Sequence, residues 1–378
     1  MSSRILSLFS GGGFLDLGFL QNNFKIEYAA EIEQNFIDCY NYGINTYIDS
    51  QQNINKKNHT PIEKPLDISS LQERNELVRI IKDIDGIVGG PPCQDFSIGG
   101  KNLGIEGERG KLLFAYRDLV KKVRPKFIFF ENVEGLIKNK NHNKGFERFL
   151  RSIKKEYTVW FDILNSLNYG IPQDRPRIAL VGFRKDLVKK LQKEGYVRPD
   201  NKHVHCYNDN YIFRWPEKKY NNPKETIKWP KYWEFQSDEI EEETLHLKNN
   251  HKELCVFHAF ENIDYVDNQD EFFVPKSDKF YLRMEGDTSR KSFKRLHRFR
   301  YSPTVAYGNN EVHLHPTKPR RLSVREGLRL QSVPDGYILP KEIPLTYKFK
   351  LIGNGVPTQK ANLVAAEIKR TLNLIKSL

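Results

Sequence analysis

Short apolar runs separated by glycine-rich or polar turns dominate the first half of the chain. The stretches 4–9, 26–30, 84–88, 126–130, 157–164 and 178–183 are each apolar, rich in β-branched or aromatic residues, and bounded by turn signals. Such runs predict strands buried on both faces, as in a mainly parallel sheet. Between them, residues 15–20, 111–122 and 146–153 have helical character, and a last helix runs to about Arg370. Strands alternating with helices predict an α/β fold of the doubly wound kind. Residues 45–64 are polar and repetitive in Asn, Gln and Lys, and are expected to form a surface loop.

The turns after the strands carry the candidate chemistry. Ser10-Gly-Gly-Gly13 follows the first strand and leads into a helix. Glycines let a ligand approach the backbone, and a helix start offers free N–H groups, although many α/β turns share this pattern. Glu31 closes the second strand, where a carboxylate can accept two hydroxyl hydrogen bonds. Nearby Glu33 reads as a solvated helix-start carboxylate. The third strand stops abruptly at Gly89-Gly90-Pro91-Pro92, because proline has no amide donor and a fixed φ. Cys93 follows at once, either a nucleophile or a buried structural cysteine. Residues 94–110 hold five glycines among polar residues, the composition of a loop that closes over a substrate. Glu131 lies at the end of the fourth apolar run, where it could cap a helix or act as a proton donor. Arg175 and Arg177 alternate, so an extended backbone points both to one face.

Composition narrows the class of partner. Lys and Arg total 61 against 48 Asp and Glu, a net charge of +13 that favours a polyanion. The four cysteines, Cys39, Cys93, Cys206 and Cys255, have no framework spacing, as expected in a reducing compartment. No stretch reaches the ~18 apolar residues of a membrane span, and no signal-peptide core stands at the N-terminus. A cytoplasmic location without membrane association is therefore expected. His203, His205, Cys206, His251, Cys255 and His258 fit no common zinc spacing, so no metal is expected.

Gly90-Pro-Pro-Cys-Gln94, Glu131-Asn-Val133 and Gln173-Asp-Arg-Pro-Arg177, in that order, resemble the cytosine-C5 DNA methyltransferases of bacterial restriction-modification type. The resemblance runs from Phe9 to about Ala366 and lapses only between about Arg184 and Tyr301. It implies a doubly wound S-adenosylmethionine-dependent methyltransferase sheet with an inserted smaller target-recognition domain. The implied division is 1–184 for catalysis and cofactor, 185–344 for recognition, and 345–378 returning to the first domain.

The resemblance assigns roles residue by residue. Cys93 attacks C6 of a flipped cytosine, Glu131 assists at N3, Arg177 donates to O2, and Arg175 braces the site or a phosphate. Phe9, Gly11 and Gly13 surround the methionine part of the cofactor, although Phe14 replaces the second glycine of the usual pair. Glu31 binds ribose, Ile32 stacks on adenine, and Asp67 with Ile68 contacts the adenine edge. Pro91, Leu112, Asn354 and Val356 complete the cofactor site. Gln94 and Ser97 face DNA. Arg283, Arg290, Arg295, Arg298 and Arg300, interleaved with aromatics, supply recognition. The partner is double-stranded DNA, with a cognate restriction endonuclease acting separately also compatible.

Three alternatives are weaker. Amino-methylating DNA enzymes resemble Asp/Asn-Pro-Pro-Tyr at the active turn, where this chain has Cys93. The tRNA branch of the same family carries a Cys-Phe-Thr signature that is missing here. An inactive DNA-binding module would not need every catalytic position filled.

Overall fold

The computed structural model describes residues 2–92, 110–200, 203–237, 242–290, 292–305 and 313–378. Its centre is a six-stranded sheet in the order β2-β1-β3-β4-β7-β5. The strands are β1 (Ser3–Leu8), β2 (Phe24–Ala30), β3 (Gly86–Gly89), β4 (Phe127–Val133), β5 (Tyr157–Asn165) and β7 (Pro176–Arg184), with a two-residue β6 (Gln173–Asp174) outside the sheet. β2, β1, β3 and β4 run parallel, whereas β7 is antiparallel to both of its neighbours, β4 and β5.

The strands are apolar on both faces because helices cover both. Val88, Phe127, Phe129, Ala179 and Val181 belong to one apolar cluster. Their alternate neighbours Ile87, Ile128, Phe130, Ile178 and Leu180 belong to the other. The first cluster takes in helices Phe14–Leu20, Gln34–Ser50, Lys185–Lys193 and Thr358–Lys376; the second takes in Leu71–Ile80, Gly110–Val123 and Lys140–Ile153. Strand order reverses between β1 and β3, since the chain leaves β1 toward β2 on one side and returns to β3 on the other. In open α/β sheets the carboxyl ends of the strands at such a reversal border a ligand crevice.

One sequence expectation changes. Residues 45–50 are helix and not loop, because Ile44, Tyr47 and Ile48 recur at helical spacing and are buried. This apolar stripe outweighs the weak helix propensity of Asn45, Asp49 and Ser50. The segment from 185 also starts as part of the sheet layer: Val188, Leu191, Val204, Ile212, Phe213 and Trp215 join the first cluster. Phe213 packs against Trp160 and Phe183 of the sheet. Leu322, Val324, Leu328 and Tyr337 join that cluster too, and from between 216 and 321 so do Val256, Leu296 and Val305. Other apolar residues of that stretch form small satellite clusters such as Trp233, Leu247, Cys255 and Phe299.

The unusual Phe14 is also accounted for. It is the first residue of its helix, behind Gly13 at φ 77°, and is buried edge-on against Tyr337 with ring centroids 5.5 Å apart. A Cβ on Gly355 would come within 2.2 Å of the Phe14 ring, so the two residues fit as a pair across the sheet domain and the C-terminal segment.

Candidate active site

Glycines at φ 54° (Gly11) and 77° (Gly13), together with Phe9 at φ 57°, shape the turn after β1. Gly13 N–H donates to Ser10 O at 2.8 Å, closing it. Beneath it Asp16 accepts from Ser7 Oγ at 2.6 Å and Tyr40 OH at 2.8 Å, and full burial still pushes its carboxyl up to about 6. At the end of β2, Glu31 accepts from the Gly11, Ile32 and Glu33 amides at 2.9, 2.9 and 3.1 Å. A carboxylate has about four acceptor positions, so one remains for a ligand hydroxyl.

Ile32 is 58% exposed beside Glu31, an apolar surface left open at the sheet edge. The loop after the helix Gln34–Ser50 is drawn to the same place, since Leu66 N–H donates to Glu31 O at 2.8 Å. Asp67 there accepts from Ser69 N and Oγ, both at 2.8 Å. Ile68 follows it in the chain. Its side chain is buried in the second apolar cluster, and its carbonyl accepts from Arg74 Nη1 at 2.5 Å. Leu112 is half-buried on its helix, Asn354 is exposed at a helix end, and Val356 packs into the first cluster. Carboxylates, an open glycine turn and an exposed apolar side chain together suit a nucleoside with a polar tail.

The second half of the site gathers at the ends of β3 and β4. Asn132 Nδ2 donates to Pro91 O at 3.0 Å, while Val133 N–H donates to Asn132 Oδ1 at 2.9 Å. This pins the proline turn to β4. Cys93, Gln94 and Ser97, and the glycine-rich segment up to 109, lie outside the described residues.

Glu131 is 8% exposed, on the face of β4 that packs toward the C-terminal helix. It stands opposite Ala179 of β7, and Arg177 is two residues away on the same face. This diagonal leaves Arg177 Nε 3.8 Å from Glu131 Oε1. Arg175 is more deeply placed and does different work. Its Nη1 donates to Val305 O and its Nη2 to Gly353 O and Gly355 O, all at 2.9 Å. It therefore ties its own segment to two others, and both Nη atoms are engaged.

Three participants escaped sequence reasoning. Gln173 donates to Leu330 O at 2.7 Å and accepts from Val305 N at 3.0 Å. Gln331 donates to Ile352 O at 2.6 Å, extending the same buried network. Lys360 is 3% exposed with Nζ 4.0 Å from Glu131 Oε1. A signal for it existed: Lys360 stands one turn before Val364 on the stripe Ala361, Val364, Ala365, Ile368, where a lysine breaks the apolar pattern.

The candidate recognition arginines divide. Arg295 is withdrawn from any surface: it is fully buried, stacks 3.8 Å over Phe235, and donates to Arg283 O, His315 O, Lys318 O and Phe280 O. Burial lowers its pKa to about 10. Arg298 is held by buried Glu285 at 3.1 Å, and Arg283 by Asp287 at 3.0 Å. Arg290 is exposed. Arg300 lines a cavity of about 190 Å³ with Asp174, Lys224, Thr288 and Tyr301. Among the described residues no group of three His, Cys, Asp or Glu side chains could hold a metal ion. His205 instead pairs with Asp162 and His258 with Glu261, at 2.7 and 2.8 Å.

Residues 3–370 match the family model for C-5 cytosine-specific DNA methylases. The chain is 38% identical to the Type II methyltransferase M.NmeDI of Neisseria meningitidis serogroup C, covering 97% of this chain and 84% of that protein. It is 31% identical to the Type II methyltransferase M.MthTI of Methanothermobacter thermautotrophicus, covering 98% of both. Its fold is similar to that of the S. pombe Dnmt2 methyltransferase, with a TM-score of 0.59 at 15% identity over 98% of each chain.

Proposed function

Because the chain belongs to the C-5 cytosine-specific DNA methylase family, we propose which of its residues carry the reaction. The protein transfers a methyl group from S-adenosylmethionine to C5 of cytosine in double-stranded DNA. The cofactor, when bound, supplies an electrophilic methyl group. Glu31 and Asp67 would accept its hydroxyl and amine hydrogens, Ile32 would offer its adenine an apolar surface, and the Gly11–Gly13 turn would hold its tail.

Cys93 adds as a thiolate to C6 of a cytosine turned out of the duplex. That addition is slow until N3 accepts a proton or a strong hydrogen bond, which Glu131 provides while Arg177 donates to O2. The observation that carries this reading is Glu131 itself. It is a buried carboxylate at the carboxyl end of β4, beside the β3 turn that leads into Pro91-Pro92-Cys93.

Arg283, Arg290, Arg298 and Arg300 remain for DNA, with Arg295 as their internal brace. We place base reading within 185–344, in the part from about 216 where satellite clusters such as Trp233, Leu247, Cys255 and Phe299 form. The Type II names of both relatives support a restriction-modification role with a separate cognate endonuclease. A cytoplasmic location belongs to the same reading; among the described residues no helix is long and apolar enough to cross a membrane.

Bisulfite sequencing of plasmid DNA from expressing cells tests the assignment. Protection of one cytosine in one recurring sequence is expected. Uniformly converted DNA, from cells holding folded protein, would overturn it. Glu131→Gln keeps a hydrogen-bond donor but has no proton to give, so single-turnover transfer should fall ~10²-fold with cofactor affinity nearly unchanged. Weakened cofactor binding at an unchanged rate would make Glu131 structural. Asp67→Ala is expected to do the reverse, with the cofactor Kd raised about tenfold by one lost hydrogen bond and little loss at saturation. Titration calorimetry reads the first quantity and saturating kinetics the second; an unchanged Kd removes Asp67 from the site.

A further inference from the structure

Lys360 is the third residue of the helix Thr358–Lys376 and is 3% exposed. Its Nζ has no hydrogen-bond partner, and neither does Glu131 Oε1, 4.0 Å away. Two buried polar atoms, each able to satisfy the other, thus face one another across the site just short of bonding. Apo active sites often hold such pairs too long, and they tighten when substrate binds.

A lysine is a costly residue at this position. Its ammonium is desolvated, and it sits at the positive end of a helix, where the macrodipole disfavours a cation. Methionine would fill a similar volume on the stripe of Ala361 and Val364 without either cost. As a counter-charge for Glu131 the lysine is redundant, because Arg177 already lies 3.8 Å from the same oxygen. The groups acting on Lys360 from the packed elements are Glu131 on β4, which favours its charged form, and Arg177 and Arg175, which oppose it.

We propose that Lys360 is a positioning residue that stores the proton which Glu131 passes to cytosine N3. The inference rests on the reading of Glu131 as the N3 donor. As Glu131 gives its proton to N3, an Nζ–H bond of Lys360 breaks, its electron pair stays on nitrogen, and a new O–H bond forms at Glu131. Lysine changes from ammonium to amine while the attacking thiolate becomes a neutral thioether, so the pocket gains no net charge. When C5 loses its proton to solvent water and the C6–S electron pair leaves with the thiolate, the N3 proton returns through Glu131 to the amine. Burial brings the Lys360 pKa down to about 7, within reach of such cycling, whereas an exposed lysine near 10.5 would hold its proton.

The test is single-turnover methyl transfer with the full-length protein, S-adenosylmethionine and duplex DNA, across about pH 6 to 9. A donor must be protonated, so the parent rate is expected to fall as pH rises through about 7, where Lys360 loses its proton. Lys360→Met is expected to lower the rate at the acidic end ~10²-fold and to remove that alkaline limb. In the Glu131→Gln background Lys360→Met should add nothing, because its path runs through Glu131. Cofactor binding and melting temperature establish that each variant is folded. Should Lys360→Met not fold, Lys360→Gln replaces it, with an amide donor but no transferable proton.

A folded Lys360 variant at the parent rate overturns the proposal, as does an equal loss in both backgrounds, or a parent profile without an alkaline limb. Glu131→Gln at the parent rate would instead remove the N3 donor itself. The two failures are therefore distinct.

Discussion

Cys93→Ala is expected to abolish methyl transfer while leaving duplex binding largely intact. The sulfur makes and breaks a bond to C6, which an alanine methyl group cannot do, whereas docking rests on a basic surface elsewhere. Without addition at C6, C5 is not nucleophilic enough to take the methyl group, so loss to background is expected and not a partial defect. Single-turnover transfer near the parent rate would take Cys93 out of the reaction. DNA carrying 5-fluorocytosine gives a second reading. The last step requires C5 to lose a proton, and fluorine cannot leave as a cation. Parent enzyme should remain attached to such DNA in SDS, and Cys93→Ala should not. Free parent enzyme after methylation of the fluorinated base would count against a covalent route.

Arg175→Met is expected to cost about 3–5 kcal/mol, since the carbonyls of Val305, Gly353 and Gly355 each lose a hydrogen bond, at ~1–3 kcal/mol where no other donor remains. Methionine keeps most of the volume, so the loss isolates hydrogen bonding from packing. Those carbonyls belong to the recognition side and to the C-terminal segment, while Arg175 precedes β7. The variant should therefore loosen the join between them, with a melting temperature lowered by ~5 °C or more. A midpoint within a degree of the parent would mean that water replaces the guanidinium, and that the brace matters little.

Sequence was most informative where one local pattern had one physical solution. Apolar runs such as Lys126-Phe-Ile-Phe-Phe130 must be covered on both faces, and the structure covers β4 with helices on each side. Pro91-Pro92 had to end a strand, and β3 does stop at Gly89. Local pattern was weakest where polar residues compete with a buried stripe. Residues 45–50 looked like loop by composition, yet Tyr47 and Ile48 carry them into the core as helix. Arginines misled in the same way. Arg295 and Arg300 look alike in a basic stretch, but one is buried on four carbonyls and the other lines an open cavity.

The chain alone therefore determined the α/β class, the carboxyl-edge turns and the identity of the groups that end each strand. These depend on periodicity and on the backbone limits of glycine and proline, which act over a few residues. Tertiary structure decided which groups meet. Lys360 lies 229 positions after Glu131 in the numbering, and Arg175 joins segments 130 to 180 residues away. Such meetings are fixed by where helices cross the sheet and by which carbonyls that crossing leaves unpaired, and no short window of sequence contains either.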